Sequence, residues 1–262
     1  MSPSPDAPVI EVVDLVRKFG DRAVINDISF NVHRGETLVI MGGSGCGKST
    51  LLRHIIGSMK PTSGSVKIFG QEITTMNERE IASVRRRFGM LFQSGALLAS
   101  LTVGENVALP LLQHTDNSAD EIEEIVEEKL QIVGLSGFED LKPAEISGGM
   151  KKRVGLARSI IRQPSCILYD EPTSGLDPVV SDSINRLIRR LQQRLGVTSI
   201  VVTHDMKNAF HVADRIAYLH EGKIYFQGAP EELRQSPDHI LQDFLLGRSD
   251  EQLTPKAFGV ES

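Results

Sequence analysis

A chain of 262 residues can form one large domain or two small ones and bury a proper core, and its net charge of −5 argues against a nucleic-acid partner, which needs a basic face. Cys46 and Cys166 are too few and too unpatterned for a disulfide framework or a zinc site, so reduced thiols in a cytosolic setting are expected. No apolar run approaches the ~20 residues that span a bilayer, and the Pro-rich start lacks a signal-peptide core; any link to a membrane is expected to come through a partner.

Met1–Pro8 reads as an unordered Pro/Ser leader. Val9–Val16 and Ile28–Val32 read as strands, with Phe19-Gly20-Asp21 at a turn. Phe19 has two readings, a ring that stacks on an adenine or plain packing before a turn. Glu36–Met41 reads as a buried strand (Thr37, Leu38, Val39, Ile40), and Leu51, Leu52, Ile55 and Ile56 follow at helical spacing. Between them stands Gly42-Gly43-Ser44-Gly45-Cys46-Gly47-Lys48-Ser49-Thr50, which fits G-x-x-x-x-G-K-[ST] in the strand–loop–helix context that a phosphate-binding loop requires. Glycines let successive N–H groups approach phosphate oxygens, and the helix begun at Lys48 adds unpaired N–H groups and partial positive charge. Lys48 is expected to reach the β- and γ-phosphates and the Ser49 hydroxyl to ligate Mg²⁺.

Lys60–Gly64 reads as a turn and Ser65–Phe69 as a short strand. Thr75 with Glu78 suggests a capping box for a helix through Arg87, and a strand from Phe88 to Phe92 delivers Gln93. From there to about Gln163 the pattern turns nearly all helical, as if helices were inserted in an α/β core. Ser118 and Glu121 form a capping box, and Ile122, Ile125, Val126, Leu130 and Val133 make an apolar stripe stopped by Gly134. The acidic residues of that helix lie opposite the stripe and read as its solvated face. Ser147-Gly148-Gly149 opens the next helix, either as an ordinary cap or as a second anion site.

Cys166–Tyr169 is an apolar strand ending in Asp170-Glu171. A carboxylate pair there, downstream of a phosphate loop, suits metal and water chemistry: Asp170 to hold Mg²⁺ through its water shell, Glu171 to orient or deprotonate the attacking water. Asp177-Pro178 is an N-cap and first position for the helix that buries Val180, Ile184, Leu187, Ile188, Leu191 and Leu195. Ser199–Val202 is another buried strand; it ends at His204, which is either structural or sited to contact a γ-phosphate. Arg215–Tyr218 and Lys223–Phe226 read as a hairpin. Helical stretches at Glu231–Gln235 and His239–Leu246 follow. The apolar cluster Phe244, Leu245 and Leu246 is expected to dock onto a second copy of the chain.

Taken together these motifs resemble the ATP-binding subunit of ABC transporters over Val9 to Gly228, with a C-terminal extension from 229 to 262. Lys48 and its glycines match the Walker A loop, Gln93 the Q-loop, Ser147-Gly148-Gly149 the family signature, Asp170-Glu171 Walker B with the catalytic glutamate, Ser174-Gly175-Leu176-Asp177 the D-loop, and His204 the switch histidine. Phe19 falls where the family has its adenine-stacking aromatic. Met150 departs from the Gln that normally ends the signature. The resemblance implies an α/β P-loop (RecA-like) core with an antiparallel β subdomain and an inserted helical subdomain at about 94–163. It also implies ATP and Mg²⁺, with Ser49, Gln93 and Asp170 around the metal. Two copies would sandwich nucleotide head to tail, so that Ser147, Gly148, Gly149 and Asp177 of one face the loop of the other. Phe92–Leu97, Glu105–Pro110 and Met150 look like the MlaF/Mkl group. That group implies an integral membrane permease, an MCE-domain lipid-binding protein, lipid transport and a place on the cytoplasmic face of the inner membrane.

Overall fold

A computed structural model describes residues 7–248. All but the last two residues of the expected leader, and the extension beyond 248, lie outside them. Ten strands and nine α-helices follow in order among the described residues: β1 (Ile10–Phe19), β2 (Arg22–Val32), β3 (Thr37–Gly42), α1 (Lys48–Ile55), β4 (Ser63–Ile68), β5 (Gln71–Glu72), α2 (Glu78–Arg85), β6 (Phe88–Leu91), α3 (Val103–His114), α4 (Ala119–Ile132), α5 (Gly148–Ile160), β7 (Cys166–Asp170), α6 (Pro178–Leu195), β8 (Thr198–Thr203), α7 (Met206–Val212), β9 (Arg215–His220), β10 (Lys223–Gly228), α8 (Pro230–Gln235) and α9 (His239–Leu245).

The strands make two sheets. One is antiparallel, in the order β2-β1-β4-β5; the other runs β10-β9-β3-β8-β7-β6 and is parallel except for β10. The parallel strands are continuous apolar runs because both their faces are covered. Alternation along β3 shows this directly: Leu38 and Ile40 join the core shared with α1 and the antiparallel sheet, while Val39 and Met41 join the core under the helices. The α/β architecture expected from the motifs is therefore present, with α3, α4 and α5 standing between β6 and β7.

Local signals behave unevenly. Ser118 caps α4 in a capping box with Glu121, and Asp177 caps α6 by accepting from the N–H groups of Val179 and Val180, both as expected. The box expected at Thr75 and Glu78 is displaced: Asn77 is the N-cap of α2 and exchanges hydrogen bonds with Glu80. Both pairs have the three-residue spacing of a box, but Thr75 is taken up in the turn in which Met76 N–H donates to the Ile73 carbonyl, so the helix starts only after Asn77. A further box, Thr102 with Glu105, starts α3.

Phe244 and Leu245 do not form a free docking cluster. They pack against the chain's own core, the Phe244 ring centroid lying 4.5 Å from that of Tyr218, while Leu246 is exposed. An apolar triplet in a polar stretch marks burial without specifying the surface that provides it.

Gly89 on β6 records how closely that strand approaches α5, since a Cβ there would collide with the carbonyl oxygen of Ser159. The obstacle is backbone and cannot rotate away. Gly89→Ala is expected to destabilise the fold by about 1–3 kcal/mol, seen as a lower denaturation midpoint; an unchanged midpoint would show that the two backbones can separate.

Candidate nucleotide site

The parallel strands end in register on one edge of their sheet. Met41 pairs with Thr203, Gly42 with Leu219, Asp170 with Val202, and Leu91 with Tyr169. Loops leaving β3, β6, β7 and β8 therefore converge at the carboxyl ends of the strands, where open α/β sheets place their ligands. A cavity of about 790 Å³ lies there, and its lining includes Gly43, Ser44, Gly45, Gly47, Lys48, Ser49, Thr50, Gln93, Glu171 and His204.

The loop after β3 is shaped by close contacts. A Cβ at Gly47, which has φ of 107°, would sit 2.8 Å from Ile25 Cδ1 and 2.9 Å from the Val24 carbonyl oxygen, so only glycine lets the loop lie against β2. Lys48 Nζ donates to the carbonyls of Gly42 (2.7 Å) and Gly43 (2.9 Å). Its ammonium is thus held inside the loop, within 3.8 Å of Cys46 Sγ. Gly43 and Gly45 have open space where a Cβ would be, so backbone N–H groups can approach an anion without obstruction.

Glu171 is the most constrained residue of the site. Its φ of 47° lies in the left-handed region that non-glycine residues seldom occupy. The backbone is held there at both ends: its N–H donates to the Val202 carbonyl (2.9 Å), and its carbonyl accepts from Ser174 N–H (3.1 Å) and Lys152 Nζ (3.2 Å). The carboxylate accepts from Thr203 Oγ1 (3.3 Å) and from His204 Nδ1 (2.9 Å). Since an ionised carboxylate only accepts, His204 donates from Nδ1 and presents Nε2 outward. Gln93 Nε2 donates to Ser174 Oγ at 3.2 Å, tying the loop after β6 to the same turn.

Asp170 carries an unpartnered buried oxygen. Its Oδ1 is buried with no hydrogen-bond partner, and burial, with the neighbouring Glu171 charge, pushes its carboxyl above the usual range against the pull of Arg53, Lys152 and Lys48. A buried carboxylate oxygen with nothing to accept from suits a hard cation or its water shell. No group of three or more His, Cys, Asp or Glu that could hold a metal occurs among the described residues. A cation here would take its remaining oxygens from a hydroxyl, a carboxamide, water and phosphate.

Five expected residues, Phe19, Ser147, Gly148, Gly149 and Asp177, are placed elsewhere. Phe19 does not line the cavity; it ends β1, 47% exposed, with the Arg17 guanidinium 4.6 Å from its ring centroid. Ser147 is the N-cap of α5, accepting from Met150 N–H at 3.3 Å, and with Gly149 it lines a different hollow, beside Val180 and Ser183 of α6. Asp177 caps α6, likewise outside the cavity lining. Within one chain, then, the loop and the Ser147-Gly148-Gly149 turn belong to separate surfaces. Met150, which departs from the usual signature, is half-buried against the helical core.

The cavity also takes in Val24, Met206, Phe244, Gly247 and Arg248, which sequence reasoning did not select. Lys152 was missed as well, though it left a trace: it is a charged residue on the stripe of α5 that buries Gly149, Leu156 and Ile160.

An amide-lined loop opening a helix, a lysine within it and two carboxylates at the end of a strand of the same parallel sheet define a P-loop nucleotide-phosphate hydrolase site. The family described as ABC transporter matches residues 25–174. The intermembrane phospholipid transport system ATP-binding protein MlaF of Haemophilus influenzae is 43% identical over 92% of this chain and 92% of its own length. The probable ribonucleotide transport ATP-binding protein mkl of Mycobacterium leprae is 41% identical over 93% of this chain and 70% of its own. The methionine import ATP-binding protein MetN of Brucella abortus is 41% identical over 97% and 68%. Among solved structures, the dimeric ATP-binding cassette MJ0796 bound to ADP and Pi superposes with a TM-score of 0.77 at 33% identity, covering 84% of this chain and 98% of that one. The chain belongs to the ABC transporter family as an ATP-binding, ATP-hydrolysing cassette coupled to transport.

The raised carboxyl of Asp170 has a consequence for stability. Where the native pKa lies above the unfolded one, the native state binds more protons between the two values, so stability falls as pH rises through that window. Asp170→Asn should therefore raise the melting temperature of magnesium-free, nucleotide-free protein at neutral pH, by calorimetry, while ATP hydrolysis is lost. A lower melting temperature would mean that the ionised carboxylate is stabilised by its cationic neighbours.

Proposed function

We propose that this chain powers phospholipid movement through an integral membrane permease working with an MCE-domain lipid-binding protein. The observation that carries the cargo class is the end-to-end likeness to the phospholipid transport protein MlaF, 92% of each chain, whereas the chain spans only 68% of the methionine importer MetN. Met150 and the stretches Phe92–Leu97 and Glu105–Pro110 favour the same group. Methionine import is the second reading, because MetN is nearly as similar in sequence, at 41% identity.

The chemistry assigned to the site follows from its geometry. Amides of the loop from Gly42 to Thr50 bind the phosphates of ATP, and Lys48 turns from its own loop carbonyls to the β- and γ-phosphates. Ser49, Gln93 and Asp170 would hold Mg²⁺, which neutralises phosphate charge when bound. Glu171 accepts the proton of the attacking water, and His204, oriented by its bond to Glu171, presents Nε2 toward the γ-phosphate. Phe19 is assigned to the adenine, which would have to displace or share the Arg17 guanidinium.

Because Ser147, Gly148, Gly149 and Asp177 lie on a surface apart from the loop, a complete site needs a second copy arranged head to tail. N–H donors supplied in trans would stabilise charge on the transferring phosphoryl group. No helix among the described residues is long and apolar enough to cross a membrane. The assigned place is the cytoplasmic face of the inner membrane, through the permease. A hollow between α2, β6, α3 and α5, lined in part by Arg85, Arg86, His114, Arg158 and Arg162, suits an acidic cytoplasmic segment of that partner.

Glu171→Gln should slow ATP hydrolysis by about 10²- to 10⁴-fold while sparing ATP binding, and should accumulate as a dimer on gel filtration with ATP; a purely monomeric profile would count against the head-to-tail arrangement. Mass spectrometry of proteins retained with the chain from detergent-solubilised membranes tests the cargo. A multi-span permease with an MCE-domain protein is the expected result, and a permease with a periplasmic amino-acid receptor would transfer the assignment to import. Charge reversal at Arg86 and Arg162 should abolish that co-purification and leave basal hydrolysis by the free chain within about 2-fold, as expected for surface charges remote from the reacting atoms.

A further inference from the structure

Lys152 is a buried cation that the proposed chemistry does not use. Only 5% of it is exposed, and it sits in the second turn of α5, near the positive end of that helix. Burial lowers the pKa of its amine, and the charges of Asp170 and Glu171 offset part of that effect. A lysine in such a place needs acceptors, and it has two. Nζ donates to the backbone carbonyl of Gln93 and to that of Glu171.

Those two carbonyls belong to the residues that follow neighbouring parallel strands, β6 and β7. Each bears a side chain assigned to the reaction. The Glu171 carbonyl is also one end of the peptide held in the left-handed region, and that conformation aims the carboxylate at Thr203 and His204. With Lys152 removed, the Gln93 loop and the Glu171 peptide lose their shared donor; Arg158 of the same helix still holds the carbonyls of Gly95 and Ala96 further along the loop, but it does not reach Glu171.

We infer that Lys152 is a positioning residue: from α5 its ammonium fixes the Gln93 and Glu171 backbones together, so that the carboxylate of Glu171 stands where it can take a proton from water. The inference rests on the proposed role of Glu171, and its effect belongs in turnover and not in nucleotide affinity, because Lys152 does not line the cavity.

The test is steady-state ATP hydrolysis by purified wild-type, K152M, K152R and K152Q chains, with melting temperatures measured in parallel. K152M keeps the length and loses the donors. It should lower kcat by about 10- to 100-fold, the loss expected for charge-assisted hydrogen bonds, with KM for ATP within about 3-fold of wild type. K152R can donate to both carbonyls and should recover kcat to within about 3-fold of wild type; K152Q, with one carboxamide donor group, should fall between. In an E171Q background K152M should cost less than about 3-fold more, since the group it positions is gone.

A wild-type kcat in folded K152M overturns the inference, as does a loss confined to KM. Equal slowing in K152M and K152R would assign the effect to packing and overturn it too. Should K152M fail to fold, K152Q against K152R decides, with equal kcat in the two counting against it. Full activity of E171Q alone would instead remove the role of Glu171, so the two failures are separate.

Discussion

The site exists because β3 is flanked by β8 and β9 in parallel register, with Met41 opposite Thr203 and Gly42 opposite Leu219. That register places the loop after β3 and the turn after β8 at one height. β7 pairs with β8 and brings Asp170 and Glu171 to the same edge. Slipping any pair by one residue would also exchange its faces, exposing Val39 and Met41 to the layer that holds Leu38 and Ile40. The apolar cores on both sides therefore fix the relative positions of the charged groups. Catalytic geometry is in this sense a by-product of sheet packing.

Charge within the site is managed by short bonds to backbone oxygen. Lys48 rests on two carbonyls of its own loop, and Lys152 on two carbonyls at the strand ends. Asp170 is left with a buried oxygen that accepts nothing, while Glu171 is satisfied at both carboxylate oxygens by Thr203 and His204. Two adjacent carboxylates thus have opposite environments. The unsatisfied one suits a cation, and the one oriented by hydrogen bonds suits proton transfer.

The second recurring feature is that the phosphate-type loop and the Ser147-Gly148-Gly149 turn line separate hollows of the chain. Helix α5 connects them, since its first turn carries Ser147-Gly148-Gly149 and its second carries Lys152 beneath Gln93 and Glu171. A rigid helix with one end at each surface can pass a displacement of a few tenths of an ångström without storing it in flexible loops, because packed interiors deform little.

Much of this was legible in the chain. Apolar runs of three or four residues located β3, β7 and β8, since strands covered on both faces leave few polar positions along their centres. The glycines, Lys48, and the carboxylates at the end of β7 named the chemistry, because phosphate binding requires particular residue types at particular spacing. Caps were legible where a single candidate preceded the helix, as at Ser118 and Asp177, and ambiguous where two candidates lay two residues apart, as at Thr75 and Asn77. What the linear pattern could not contain was contact between distant segments. The left-handed φ of Glu171, the two hydrogen bonds of Lys152, the approach of Gly89 to Ser159 and the packing of Phe244 on Tyr218 all depend on which surfaces meet. Residue type and spacing determine which chemistry is possible; only the folded chain, by excluding every arrangement that leaves apolar surface wet or polar groups unpaired, decided where each group would stand.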